Sequence, residues 1–181
     1  MSQGITPPIT FARVAPGVYR SGFPTLRNLQ CLKQLGLKTM IKLDVKDSYA
    51  DDMLDWIAET GIEVVKCEVA ANKEPFIIAD AEEICKALRV LLDPARHPVL
   101  IHSLVGQARV GVVIGCLRRV QRWSLVAIFE EYRRFAGITS SLLDVQCIEL
   151  FDVSMIELPA VRKDQRPADE GAVPMAPQEV G

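Results

Sequence analysis

The sequence predicts an α/β fold, a central and mostly parallel sheet flanked by helices, and three observations carry that prediction. Short apolar runs of strand character (18–20, 39–43, 62–67 and 98–101) alternate with stretches whose apolar residues recur at helical spacing. The run 98–101 is apolar throughout, which suits a strand covered on both faces in the middle of a parallel sheet. Of the 181 residues, 49% are hydrophobic and 24% charged, the composition of a globular domain large enough to bury its own core.

The elements follow in order. Pro7-Pro8 excludes a helix from residues 1–10, which read as an extended arm. Thr25 caps a helix with Leu26, Leu29, Leu32 and Leu35 on one face, closed by Gly36. A helix over 50–60 turns Met53, Trp56 and Ile57 inward and stops at Gly61. The loop from Glu68 to Phe76 is broken by Pro75, and a helix over 80–92 ends at Asp93-Pro94. Strand 98–101 runs into a loop, 102–109, and then into an apolar helix reaching about Arg122. Ser124 caps the next helix, which Gly137 ends, and Ser140 or Ser141 opens a last one to about Val153. Trp123, at a helix junction, reads as core packing. The last 23 residues hold four prolines and many charges. The domain is therefore 11–157, and 158–181 is expected to be a disordered tail.

Twenty-one basic against 23 acidic residues leave a net charge of −2, which argues against general nucleic-acid or membrane-surface binding. Arg118, Arg119, Arg122, Arg133 and Arg134 cluster on two helices, but Glu130 and Glu131 are interleaved, the pattern of helix-surface ion pairs. No apolar run is long enough to span a bilayer, and the first residues lack a secretory leader, so a cytoplasmic location is expected. Five scattered cysteines without a CxxC pair, and only two histidines, predict neither a disulfide framework nor a metal centre. No cofactor is expected.

Chemistry concentrates in residues 99–111. A buried strand enters a short loop that opens a helix, which aims backbone N–H groups and the positive helix end at one point: an anion site. Gly106 lets the loop backbone approach a ligand, and Arg109, on the first helical turn, offers a bidentate fork for a phosphate. The loop comprises His102, Ser103, Leu104, Val105, Gly106, Gln107, Ala108 and Arg109.

This stretch resembles the phosphate loop of cysteine-dependent phosphatases, His-Cys-x-x-Gly-x-x-Arg followed by Ser or Thr. Three further segments are similar to the plant and fungal atypical dual-specificity phosphatases, a family that includes inositol-pyrophosphate phosphatases and tyrosine-phosphatase-like members. They are Val18-Tyr19-Arg20-Ser21-Gly22-Phe23-Pro24, Asn72-Lys73-Glu74-Pro75-Phe76, and the stretch from Trp123 to Ala136. The resemblance implies a phosphatase fold, a structural role for His102, and phosphate binding by Arg109. It implies that Lys73 and Glu74 border the site, with Glu74 or Asp80 near the leaving group; Asp44, just after a strand, is another candidate general acid. The resemblance also places Ser103 where the family has its nucleophilic cysteine, and Val110 where a hydroxyl assists the leaving thiolate. Leu104, Val105, Gln107 and Ala108 stand where active members tend to be polar or basic.

The serine changes the chemistry. Loop amides and a helix N-terminus bring a thiol from pKa ~8.5 into the range of about 3.5–7.5. An alcohol starts many units higher, so Ser103 needs a general base. His102 is adjacent in sequence, but neighbouring side chains at a strand end point to opposite faces. The expected function is a pseudophosphatase that binds a phosphorylated small molecule or phosphoprotein, with related phosphatases as further candidate partners, and with reduced affinity for polyphosphates. The alternative is an active atypical dual-specificity or inositol-pyrophosphate phosphatase whose cysteine has been replaced. Ser103, Val110 and the loop interior depart from the pattern together, which favours the first.

Overall fold

The computed structural model describes residues 5–44, 48–73 and 78–156; the expected tail and Glu74 lie outside them. Five strands form one sheet: β1 (Ala12–Ala15), β2 (Val18–Ser21), β3 (Thr39–Lys42), β4 (Glu63–Lys66) and β5 (Val99–His102). Their order is β1-β2-β5-β3-β4, with β1 antiparallel to β2 and every other pair parallel. β5 is central and buried at all four positions, as its unbroken apolar run requires.

Side chains alternate across the sheet and build two cores. Ile41, Val99 and Ile101 face one way, against Leu88, Val113, Leu117, Ile128 and Ile148. That layer holds α3 (Ala81–Leu92), α4 (Ala108–Val120), α5 (Leu125–Ala136) and α6 (Leu142–Leu150). Met40 and Leu100 face the other way, against Leu32, Met53, Trp56 and Ile57. That second layer holds α1 (Leu29–Leu35) and α2 (Asp51–Thr60). The helices close where expected, at Gly36 and Gly61, and Ser124 and Ser141 cap α5 and α6 through their side-chain oxygens. None of the described helices is long and apolar enough to cross a membrane.

Register decides where a site can form. Ser21 and Lys42 both lie beside His102, so the carboxyl ends of β2, β3 and β5 are level. The chain leaves all three strands on one edge of the sheet, where ligands of open α/β sheets bind.

The structure departs from the sequence-based expectation in four places. β1 was not anticipated: four residues with a register irregularity between Arg13 and Ala15 carry no strand periodicity. The helix expected from Thr25 begins as a 3-10 turn, Leu26–Asn28, because Asn28 Oδ1 accepts the Thr25 N–H and tightens the first turn. The last helix stops at Leu150, and a separate 3-10 turn, Val153–Met155, follows. Trp123 is not core: it is 46% exposed and lies over the Arg118 guanidinium at 4.1 Å. Arg122, at φ 61°, turns the chain outward just before it. Arg118 is instead the buried member, held by both Glu131 oxygens at 2.8 and 3.0 Å and donating to Val14 O at 2.9 Å. Among the described residues, the basic cluster forms an exposed ion pair only at Arg133, paired to Glu130 at 3.3 Å.

α4 packs unusually close to α6. A Cβ at Gly115 would lie 2.6 Å from Ile148 Cδ1, inside a core position with no exposure. Gly115→Ala is expected to destabilise the fold by about 1–2 kcal/mol, overpacking exceeding the helix-propensity gain. The check is a lowered urea midpoint at unchanged m-value.

Candidate anion-binding site

The segment between β5 and α4 forms a loop at the level strand ends. Three donors grip its outer side through four hydrogen bonds. Phe23 N–H donates to Leu104 O at 3.1 Å, and Thr10 Oγ1 to Val105 O at 2.7 Å. Arg20 Nη2 donates to Gly106 O at 3.0 Å and Gln107 O at 3.4 Å. In a planar trans peptide the carbonyl and the following N–H point in opposite directions. Turning these carbonyls outward therefore turns the N–H groups of Val105, Gly106, Gln107 and Ala108 inward, a nest at the α4 N-terminus. Gly106 has φ 76°, and a Cβ there would strike Gly22 N, Thr10 Oγ1 and the Ser21 carbonyl carbon, so glycine is required twice over.

Ser103 lies inside the loop, and its Oγ accepts the Gly106 N–H at 3.1 Å. Among the described residues, no imidazole or carboxylate hydrogen-bonds this hydroxyl. His102 belongs to the opposite face of the sheet. Its Nε2 shares a 2.6 Å hydrogen bond with Tyr49 OH, and its ring meets Phe23 edge-on at 5.5 Å. Burial, helped by the charge of Lys42, lowers its pKa to about 3, and the same burial pushes the Tyr49 phenol up. His102 is thus a neutral structural ring.

Arg20 braces the loop from beneath. It is 1% exposed, stacks on Phe135 at 3.9 Å, and leaves Nε and Nη1 without hydrogen-bond partners among the described residues. Burial lowers its pKa to about 10, so it stays cationic at neutral pH and adds positive potential under the nest.

The mouth of the loop already binds an anion of the chain itself. Asp44 leaves the end of β3, where Leu43 N–H still pairs with His102 O at 3.0 Å. Its Oδ2 accepts the Leu104 N–H at 2.7 Å, and its Oδ1 pairs with Arg109 Nη1. One carboxylate therefore bridges a loop amide and the arginine, the two kinds of donor that would hold a phosphoryl group.

The structure thus brings together His102, Ser103, Gly106, Arg109 and Asp44. Leu104 and Val105 stand exposed on the rim. It places Asp80 elsewhere, as the cap of α3, accepting Glu82 N–H at 2.9 Å. Lys73 lines a separate groove of about 430 Å³ between the start of α3 and α6. Two features went beyond sequence reasoning, which read Tyr19-Arg20-Ser21 only as packing beside the phosphate loop. Arg20 shares its strand face with buried Val18, and a charge at an inward strand position was the available signal. The second is a buried clamp: Asp144 accepts from Asn72 Nδ2 and Tyr132 OH, both at 2.6 Å, and ties the segment before Lys73 to α5 and α6. No group of three metal-ligating side chains occurs among the described residues.

The buried neutral imidazole predicts a pH dependence. In the unfolded chain His102 binds a proton below pH ~6.5; in the fold it resists until about pH 3. Stability is therefore fully present above about pH 6.5 and is lost as pH falls toward about 3. Chemical denaturation at stepped pH should show this slope, and His102→Asn should flatten it.

Comparisons with known proteins agree with this geometry. Residues 5–169 match the tyrosine phosphatase family. The chain is 42% identical over 157 residues to the rice inositol diphosphatase DSP1, covering 86% of this chain and 70% of that protein. Its fold superposes on the Siw14 catalytic core with a TM-score of 0.75 at 40% identity, covering 82% of this chain and 88% of that one. It also superposes on a Cys-to-Ser form of P. aeruginosa TpbA in complex with phosphotyrosine, with a TM-score of 0.63 at 27% identity, over 81% and 86% of the two chains. With a family match over most of its length and this likeness in sequence and fold, the chain belongs to the tyrosine phosphatase family.

Proposed function

We propose that this chain binds a phosphorylated ligand in the 103–109 loop and holds it without turning it over. The observation that carries this reading is the Asp44 carboxylate, seated on Leu104 N–H and Arg109: the loop grips an anion. The nest, the α4 N-terminus and the Arg20 charge beneath remain to receive a phosphoryl group. A thiolate at position 103 would repel a phosphate dianion, and a neutral hydroxyl does not. TpbA supports the point by analogy, since its Cys-to-Ser form is the one in complex with phosphotyrosine.

Turnover is a different matter. The field of a loop that shifts a thiol by ~3 pKa units supplies roughly 4 kcal/mol, far too little to ionise an alcohol at neutral pH. The Ser103 hydroxyl has no base at hydrogen-bond distance among the described residues, since the His102 ring is committed to Tyr49. Val110, buried in the core, offers no hydroxyl.

A second reading is favoured by the similarity to inositol diphosphatases. A cysteine at position 103 would attack the phosphorus, the leaving oxygen would depart with a proton, and water would then hydrolyse the phosphocysteine. Arg109 would hold the equatorial oxygens throughout.

The two readings separate on one experiment: hydrolysis of an aryl phosphate and an inositol pyrophosphate by the protein and by Ser103→Cys, with tungstate binding measured in parallel. The protein itself should show no turnover above buffer and should bind tungstate. Arg109→Ala should weaken that binding by about 1.5–3 kcal/mol, the loss of a charge-assisted pair. Turnover by Ser103→Cys alone establishes the second reading. Silence of both forms with binding retained establishes the first.

A further inference from the structure

Asp44 does more than fill the loop. Its position follows from the sheet: β3 neighbours β5, their carboxyl ends are level, and the second residue past β3 reaches the loop mouth. The side chain is 13% exposed, so the carboxylate is tucked in rather than waving in solvent. It uses both oxygens, one on the loop amide and one on Arg109. An incoming phosphoryl group needs these same donors, and the two anions cannot share them. Displacement leaves the carboxylate tethered to β3, within a side-chain length of the mouth.

Among the described residues, the rim has little to offset that charge. Leu104 and Val105 are 54% and 45% exposed, and the remaining loop residues before Arg109 are Gly106, Gln107 and Ala108. The positive charge that supports the nest, Arg20, is 1% exposed. It lies behind the loop and acts on a group inside it. A ligand with a single phosphoryl group thus meets attraction within the loop and apolar contact at the rim. A ligand carrying further phosphates places them beside Leu104, Val105 and the displaced carboxylate.

We propose that Asp44 is the specificity-determining residue of this loop, competing with the incoming anion and then guarding the rim, so that the loop takes a single phosphoryl group on an uncharged carrier and rejects a cluster of phosphates. This rests on the anion-binding reading of the loop and names the ligand class for it. The carrier is a small molecule or the phosphorylated side chain of a protein; both present the same chemistry to Leu104 and Val105.

The test is calorimetric binding of inorganic phosphate, phenyl phosphate, a neutral peptide bearing one phosphotyrosine, and inositol hexakisphosphate. The protein, Asp44→Asn and Asp52→Asn are compared, the last removing an exposed charge on α2 as a control. In the protein, phenyl phosphate should bind more tightly than inositol hexakisphosphate. Asp44→Asn should tighten inorganic phosphate ~10-fold, the loss of a charge-assisted competitor. It should tighten inositol hexakisphosphate by a further ~10-fold, since repulsion scales with ligand charge. Asp52→Asn should change neither. Tighter peptide than phenyl phosphate binding assigns a protein-borne group, and the reverse a small molecule. Should Asp44→Asn not fold, the carboxyl carbon-13 resonance of Asp44 in the unaltered protein must shift when phosphate is added. Phosphate binding that is equal in the protein and Asp44→Asn, or a preference for inositol hexakisphosphate, overturns this inference and leaves the anion site standing. Absence of binding by both folded proteins overturns the anion site itself.

Discussion

The site depends on the direction of four carbonyls. Leu104, Val105, Gly106 and Gln107 point their oxygens at Phe23 N–H, Thr10 Oγ1 and Arg20 Nη2, and peptide planarity then sends the intervening N–H groups inward. None of the three donor residues lies in the loop. They come from β2, from the turn after it and from the segment before β1, all delivered to one place by the parallel pairing of β2 with β5. The site is therefore built as much by residues 10–23 as by 102–109.

The same pairing explains the buried charges. Arg20 and Lys42 would be costly in an ordinary core. Here Arg20, inside β2, is held by the loop carbonyls, and Lys42, the last residue of β3, lies over the Phe23 and Tyr49 rings. Arg20 also covers Phe135 and hydrogen-bonds two carbonyls, so its guanidinium is partly solvated by the protein. His102 shows the opposite solution on the other face: buried and with Lys42 near, it stays neutral and serves as a hydrogen-bonding spacer for Tyr49.

Serine at the loop's first interior position fits this scaffold without strain. Its hydroxyl accepts the Gly106 N–H, so the turn is satisfied. What changes is the charge balance at the mouth. With no thiolate inside, the nest and Arg109 have an unanswered positive field, and Asp44 answers it. In the proposed reading the carboxylate and the neutral hydroxyl are complementary: one occupies the mouth, and the other admits an anion deeper in.

By itself the sequence determined the α/β class, nearly every helix boundary, and the strand–loop–helix that carries the site. These are local properties: apolar periodicity, capping residues, and glycines where chains turn. It also marked His102, Ser103, Gly106 and Arg109 as one unit, because they are near neighbours along the chain. Only the tertiary structure decided that Arg20 braces the loop from 86 residues away. Only the fold brought Asp44, 65 residues distant, onto Arg109, while leaving Asp80 at a helix cap. It likewise sent Trp123 outward and Arg118 inward. Those placements rest on strand order and register, which no window of sequence contains: β3 and β5 are neighbours because two helical layers cover them, and their shared edge is where distant charges meet.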